Sequence, residues 1–297
     1  MATPASFSAL TPAEFEALVQ DIRPELHRYA ARMTGSVIDG EDVVQEALIK
    51  AHASLALLTH DTNLRGWLFR ITHNKAIDHL RRTSNEPMEL LDEVLMTEQP
   101  DQPLEAKEIA AFALSLFLKL APRQRSCVIL KDVMGYSLAE VSEALDATVP
   151  EIKATLHRGR TRLRELAQNA EATPTHLDAG EQALLARYVD RFNARDFETL
   201  RTMLTDEVRL DLVGRAKLAG AEAISGNYFR RYQEGDDCRL MVGMVEGRPA
   251  LIAYDIHEAS PEPAYFILLD WDDEQVSFIR DFRYARYVMR DAVIALI

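Results

Sequence analysis

SLAEVSEALDATVPEIKATLHRGRTRLR, residues 137–164, is the stretch that decides the architecture of the first half of this chain. Ser137 is followed three residues later by Glu140, the pattern of a capping box in which each side chain bonds the other residue's free amide at a helix start. Thr148 and Glu151 repeat it, with Pro150 in the first turn, where a missing N–H does no harm. The spacing therefore predicts a short helix near 138–145, a tight turn at Asp146-Ala147 and a longer helix from Val149. Just upstream, Pro122 opens and Gly135 ends another helix, with Cys127, Leu130 and Met134 at the spacing of a buried face. In outline this is a helix-turn-helix.

The longer helix carries Ile152, Leu156, Gly159, Leu163 and Leu166 at steps of three and four, an inward stripe. Around it stand Lys153, Thr155, His157, Arg158, Arg160, Arg162 and Arg164, a concentrated cationic patch. A solvated helix with cations near its C-terminus is the plainer reading, because the helix dipole favours them there. Two capping boxes and a one-sided basic face favour a recognition helix, whose first turns meet base edges while Arg and Lys hold phosphates.

Outward from this stretch the composition sets bounds. The chain has 297 residues, enough for two or three domains, and 47% hydrophobic residues to build their cores. Its formal net charge of −13 excludes a protein that coats nucleic acid by bulk charge, so any DNA surface is local. Both halves, split at residue 177, are acidic. Cys127 and Cys238 lie far apart, which offers neither a disulfide framework nor a paired-cysteine metal site. The first ten residues, MATPASFSAL, lack a basic segment followed by an apolar run, and the apolar run 109–118 is too short to span a bilayer. A cytoplasmic protein is expected, with no metal and no cofactor.

Two punctuation zones divide the chain. Residues 83–107 hold Pro87, Pro100 and Pro103 among mostly acidic charges and read as an extended acidic linker; residues 168–178 are small and polar. After the second zone come two helical segments, 181–193 and 196–204, and a further helix near 221–233. Short β-rich runs complete it: EVRLDLVG, CRLMVGMVE, ALIAYDIHE, AYFILLDW and VSFIRDFRYARYV.

Before the linker, a helix from Glu41 has Val44, Ala47, Leu48, Ala51, Leu55 and Leu58 on one stripe, with Asp42, Gln45, Glu46 and Ile49 on another side. An acidic strip beside an apolar residue suits a basic protein partner, although spacing alone favours an ordinary solvated face. The next helix, 63–82, is apolar all round in its first half, around Trp67, and is expected to be buried there. Its second half presents Asn74, Lys75, Asp78 and Arg82, flanked by Arg70 and Arg81, groups suited to unpaired bases and phosphates.

The order of these signals resembles an extracytoplasmic-function (group IV) bacterial sigma factor over about Glu14 to Leu166: an acidic helix with D-x-x-Q-E, a W-L-F-R-I…N-K-A-I-D-H-L-R-R helix, an acidic linker, then P-R-Q-R…G-Y-S-L-A-E-V…V-P-E-I-K. The resemblance implies region 2 over 10–84, the linker over 85–108, region 4 over 109–168, a second linker over 169–179 and an extra domain over 180–297. It implies binding to core RNA polymerase, through the β′ clamp and the β flap, and to promoter DNA. Asp42, Gln45 and Glu46 match the clamp-binding motif. Arg65, Trp67, Arg70, Asn74, Asp78, Arg81 and Arg82 match the helix that faces the −10 element, and His60, Asp61 and Asn63 the loop that captures a flipped base. Lys153, Thr155, His157, Arg158 and Arg160 sit on the helix that reads the −35 element; family members often carry Arg where Thr155 stands.

The extension from Glu181 resembles a SnoaL-like domain of the nuclear-transport-factor-like group, which implies an α+β cone-shaped domain behind two all-α domains, acting as a built-in regulator. Asp211, His257, Asp281 and Tyr284 are the titratable groups a cone-fold enzyme would use. Rim or strand residues without chemistry are the favoured reading, so no enzyme is expected. A pocket for an unidentified small ligand in this domain, without catalysis, lies between. Two rivals to an initiation factor stand beside it: a free-standing helix-turn-helix regulator with a ligand-sensing C-terminal domain, and a cone-fold enzyme with an attached DNA-binding domain.

Overall fold

The structure, a computed structural model, describes residues 12–55, 63–83, 114–168, 179–235, 238–256 and 262–297. The chain divides into two compact units, Met1–Glu171 and Ala172–Ile297.

The described part of the first unit is all helical. It comprises α1 (Pro12–Thr34), α2 (Val37–Ala53), α3 (Leu64–Thr83), α4 (Leu114–Leu118), α5 (Pro122–Val128) continued by a π-helical turn Ile129–Val133, α6 (Leu138–Leu145) and α7 (Val149–Gln168). The two capping boxes form as the sequence predicts. Ser137 accepts the Glu140 amide at 3.2 Å while Glu140 accepts the Ser137 amide at 2.8 Å. At the second, Glu151 accepts the Thr148 amide at 2.7 Å, and the reciprocal bond is 3.5 Å. Asp146 turns between α6 and α7 with φ 51, the left-handed region that Asp tolerates better than most residues. Where α1 crosses α2, a Cβ on Gly40 would lie 2.6 Å from the Ala31 backbone, so only glycine lets the two helices approach this closely.

One continuous apolar core runs through this unit, from Ile22, Leu26 and Tyr29 of α1 through Val44 and Ala47 of α2 and Phe69 of α3 to Val128, Ile152 and Leu156 of the last helices. The expected burial of the first half of α3 is observed: Leu68, Phe69 and Ile71 are buried and Trp67 packs against the same core. Buried polar struts reinforce the packing. Arg125 donates to the carbonyls of Met33, Leu118 (2.8 Å) and Leu120 (3.0 Å), tying the end of α1 to the chain around α4 and α5. Burial pulls its pKa down to about 10. Glu41, fully buried, pairs with Arg23.

The second unit is α8 (Ala179–Asn193), α9 (Phe197–Thr202), β1 (Leu204–Leu212), β2 (Ala216–Ala219), α10 (Ala221–Ile224), a π-helical turn Ser225–Phe229, α11 (Arg230–Glu234), β3 (Cys238–Val245), β4 (Arg248–Asp255), β5 (Pro263–Asp272), β6 (Gln275–Asp281), a 3-10 turn Arg286–Arg290 and β7 (Ile294–Leu296). The strand order is β2-β1-β6-β5-β4-β3-β7, with β1 and β6 parallel and every other pair antiparallel. Leu210, Leu251, Ile267 and Ile279, one from each of four strands, pack with residues of α8, α9 and α11 in one core, and on the opposite face of the sheet Ile252 and Phe266 are buried as well.

The cone shape expected from the resemblance is not what this domain adopts. Closure needs the first and last strands to pair, and here β2 and β7 are the two unpaired edges of an open mixed sheet, neither closed nor strongly curled. β2 spans four residues and β7 three, too little backbone to close a ring. The β-rich run VSFIRDFRYARYV also ends earlier than its pattern suggests. β6 stops at Asp281, whose buried carboxylate accepts Tyr228 Oη at 2.9 Å, Tyr232 Oη at 2.8 Å and the Arg283 amide at 2.7 Å. Burial pushes the Asp281 pKa up against the opposing pull of those three donors.

Candidate nucleic-acid interface

The cationic helix α7 is sorted by its own periodicity. Thr155 and Arg160 are each 3% exposed, whereas Lys153 stands in solvent and His157 and Arg158 are half-buried. Arg160 makes a two-pronged ion pair with Asp132 of the π-helical turn, at 2.8 and 2.6 Å, and both side chains are almost wholly buried. The signal was present in the spacing: Arg160 lies four residues after Leu156 and three before Leu163, on the inward stripe, as does Thr155 between Ile152 and Gly159. Arg158 leans on Thr155 Oγ1 at 3.4 Å, and exposed Arg162 pairs with Glu165 at 3.2 Å. Lys153 is the exposed cation among the five residues matched to the −35 element.

On α3, Asn63 caps the helix through the Gly66 amide at 3.1 Å. His60 and Asp61 lie outside the described residues. Arg65 pairs with Glu25 and donates to Tyr136 Oη at 3.2 Å, while Arg70 donates to the Glu143 carbonyl of α6 at 3.1 Å. Asn74, Asp78 and Arg81 are exposed. They line a cleft of about 480 Å³ whose other walls are the start of α5 and the end of α6.

At the floor of this cleft the three helices α1, α3 and α5 meet on a polar contact. Tyr29 Oη lies 2.7 Å from His73 Nδ1 and 3.2 Å from Ser126 Oγ, and Ser126 donates to the Pro122 carbonyl at 2.9 Å. Burial alone pulls the His73 pKa down to about 4. Sequence reading missed His73, since a lone histidine between Thr72 and Asn74 has no pattern to distinguish it.

On α2, Asp42 and Gln45 are half-buried and Ile49 beside them is 66% exposed. Glu46 turns toward α3, accepting Lys75 at 3.1 Å and Arg82 at 3.2 Å. Partial burial would raise its pKa, but those two hydrogen bonds outweigh it and hold the carboxyl below its ordinary value. The acidic strip is thus divided, Glu46 bridging to α3 while Asp42 and Gln45 stand on the turn before it.

In the second unit, Asp211 lies 3.8 Å from Arg280, both nearly buried, and Tyr284 is held between Arg215 and Arg231, whose guanidinium carbons lie 5.3 and 5.7 Å from its ring centre. His257 lies outside the described residues. With Asp281 on Tyr228 and Tyr232, the three described groups have separate sets of partners and do not form one constellation. Among the described residues, no cluster of metal-ligating groups forms and no helix is long and apolar enough to cross a membrane.

Two family models match the chain in order: Sigma-70 region 2 over residues 18–86 and Sigma-70, region 4 over residues 113–163. ECF RNA polymerase sigma factor SigG of Mycobacterium tuberculosis is 29% identical, over 91% of this chain and 81% of its own length. ECF RNA polymerase sigma factor SigW of Bacillus subtilis is 30% identical, over 51% of this chain and 87% of its own length. Among solved structures, the extracytoplasmic-function sigma factor SigJ of M. tuberculosis aligns over 90% of this chain and 95% of its own, with a TM-score of 0.35 and 20% identity.

Proposed function

The chain belongs to the ECF family of RNA polymerase sigma factors, and from that premise we propose how its surfaces divide the work of transcription initiation. As a sigma factor it joins core RNA polymerase and directs it to promoter DNA; it is a binding protein and not an enzyme. The observation that carries this is the presence of both sigma regions, in order, within one helical unit that ends in a doubly capped helix-turn-helix. Its place of work is the cytoplasm, where polymerase and chromosome are.

Asp42 and Gln45 of α2, with Ile49 beside them, form the polymerase-docking strip, and Glu46 fixes that strip to the DNA-facing helix through Lys75 and Arg82. Asn63, Arg65, Trp67, Arg70, Asn74, Asp78, Arg81 and Arg82 serve the −10 element, with His60 and Asp61 in the loop before them. Lys153, His157 and Arg158 meet the −35 element. Arg160 and Thr155 support the helix from its buried side. Arg65 and Arg70 each commit one or two donors to Tyr136, Glu25 and Glu143 in the packed unit, and as exposed guanidiniums keep others for a phosphate. The C-terminal domain modulates initiation; what supports placing it in a sigma factor at all is that the alignment with SigG extends over 91% of this chain and so includes most of this domain.

Core binding tests the docking strip. Asp42→Arg places a cation where a basic partner is expected, and like charges at an interface cost several kcal/mol. The variant is expected to bind purified core polymerase at least tenfold more weakly in a fluorescence titration, with its helical content unchanged. Equal affinity for both proteins contradicts the assignment.

A further inference from the structure

We propose that the cleft between α3, α5 and α6 binds a free adenine nucleotide. Its volume of about 480 Å³ is that of a site for a small organic ligand. The lining supplies a counterpart to each part of such a molecule. Arg81 on α3 and Arg123 at the start of α5 both line the cleft, from two different walls, and supply the guanidinium groups whose geometry matches a phosphate. Asn74 presents a side-chain amide, which pairs with both the acceptor and the donor on one edge of adenine. Asp78 or Asp146 accepts sugar hydroxyls, the role an acidic residue plays toward ribose in other nucleotide sites. Ile77 and Leu145 give the apolar surface on which the base lies.

The existing contacts leave these groups able to respond. Arg81 reaches Asp78 only at 3.9 Å, with both side chains more than half exposed, an ion pair of little strength that a phosphate can displace. Arg123 is exposed at the start of α5.

The site needs α3 and the α5–α6 segment side by side. A free nucleotide therefore stabilises the packed unit and covers Asn74, Asp78 and Arg81. On the functional reading above, it opposes promoter engagement. A nucleotide and a promoter strand compete for the same exposed Asn74, Asp78 and Arg81.

The test is calorimetric titration of the full chain, without polymerase, by AMP, with adenosine, inorganic phosphate and a single-stranded oligoadenylate as separate arms. Binding is thereby scored independently of whether the chain initiates transcription. Saturable one-to-one AMP binding is expected, with adenosine and phosphate each at least tenfold weaker. Arg123→Ala, a surface change, and Leu145→Trp, which fills the cleft, are each expected to weaken AMP at least tenfold, the loss of one charge-assisted contact or of the space itself. Circular dichroism confirms that both variants fold, and Arg123→Ala carries the test if Leu145→Trp does not. Absence of saturable AMP binding, unchanged affinity in Arg123→Ala, or oligoadenylate binding tighter than AMP and equally sensitive to Arg123→Ala would overturn the proposal.

Discussion

Arg160→Ala is expected to destabilise the helical unit by about 3–5 kcal/mol, the range for breaking a buried ion pair from one side. The guanidinium and the Asp132 carboxylate are 3% and 4% exposed, and their two bonds of 2.8 and 2.6 Å bind α7 to the π-helical turn that follows α5. Removing the cation leaves Asp132 charged, buried and poorly compensated. Removing both charges does not, so Arg160→Met with Asp132→Leu is expected to recover most of the loss. Urea unfolding followed by helical signal measures both. A loss below about 1 kcal/mol in Arg160→Ala would show that the pair is not a strut of the helical unit. The same experiment separates stability from DNA affinity. Lys153→Ala, at an exposed position, is expected to weaken DNA binding without moving the unfolding midpoint.

The second large effect is acid sensitivity of the helical unit through His73. Its ordinary pKa of 6.5 falls to about 4 in the packed unit, with burial as the cause. The cleft beside it carries two cations, Arg81 and Arg123, and two carboxylates, Asp78 and Asp146, so local charges nearly cancel; Tyr29 and Ser126 supply only neutral contacts. A depressed histidine pKa means that the unfolded or opened chain binds the proton more tightly. The contribution to stability is therefore complete above pH 6.5 and is lost as pH falls toward 4. A tenfold difference in proton affinity between the two states is worth about 1.4 kcal/mol, so the whole window amounts to about 3 kcal/mol and the part between about pH 7.5 and about pH 5 to about 2 kcal/mol. Wild type and His73→Gln are to be compared by urea unfolding at those two pH values, where the difference between the proteins isolates His73 from the carboxylates. The wild type is expected to lose about 2 kcal/mol more than the variant. Parallel losses would place the ring in contact with water.

The helical half was largely legible because its signals are local. Capping boxes at Ser137 and Thr148 and the three-four stripe of α7 act within a turn or two of the backbone, and they formed where the spacing put them. The all-round apolar start of α3 likewise implied burial, and Leu68 and Phe69 are buried. What the pattern could not supply were pairings across long stretches of chain. Glu41 with Arg23, Arg160 with Asp132 and Tyr29 with His73 each join helices that only tertiary packing brings together. Reading Arg160 as one more surface cation neglected its place on the apolar stripe. In the second half, the strand cores were visible in runs such as AYFILLDW, but the short β2 and β7 were not. Those two strands set the edges of the sheet, which is why a cone inferred from the opening helices gave way to an open sheet.

Transcription reconstituted from purified parts tests the central claim most directly. Core RNA polymerase and the full chain are incubated on genomic DNA of the host bacterium, and the 5′ ends of the transcripts are sequenced. The account predicts discrete start sites that appear only when the chain is added, that share one pair of upstream sequence elements, and that are lost with Asp42→Arg. The same set of 5′ ends from core alone and from core with the chain would contradict it.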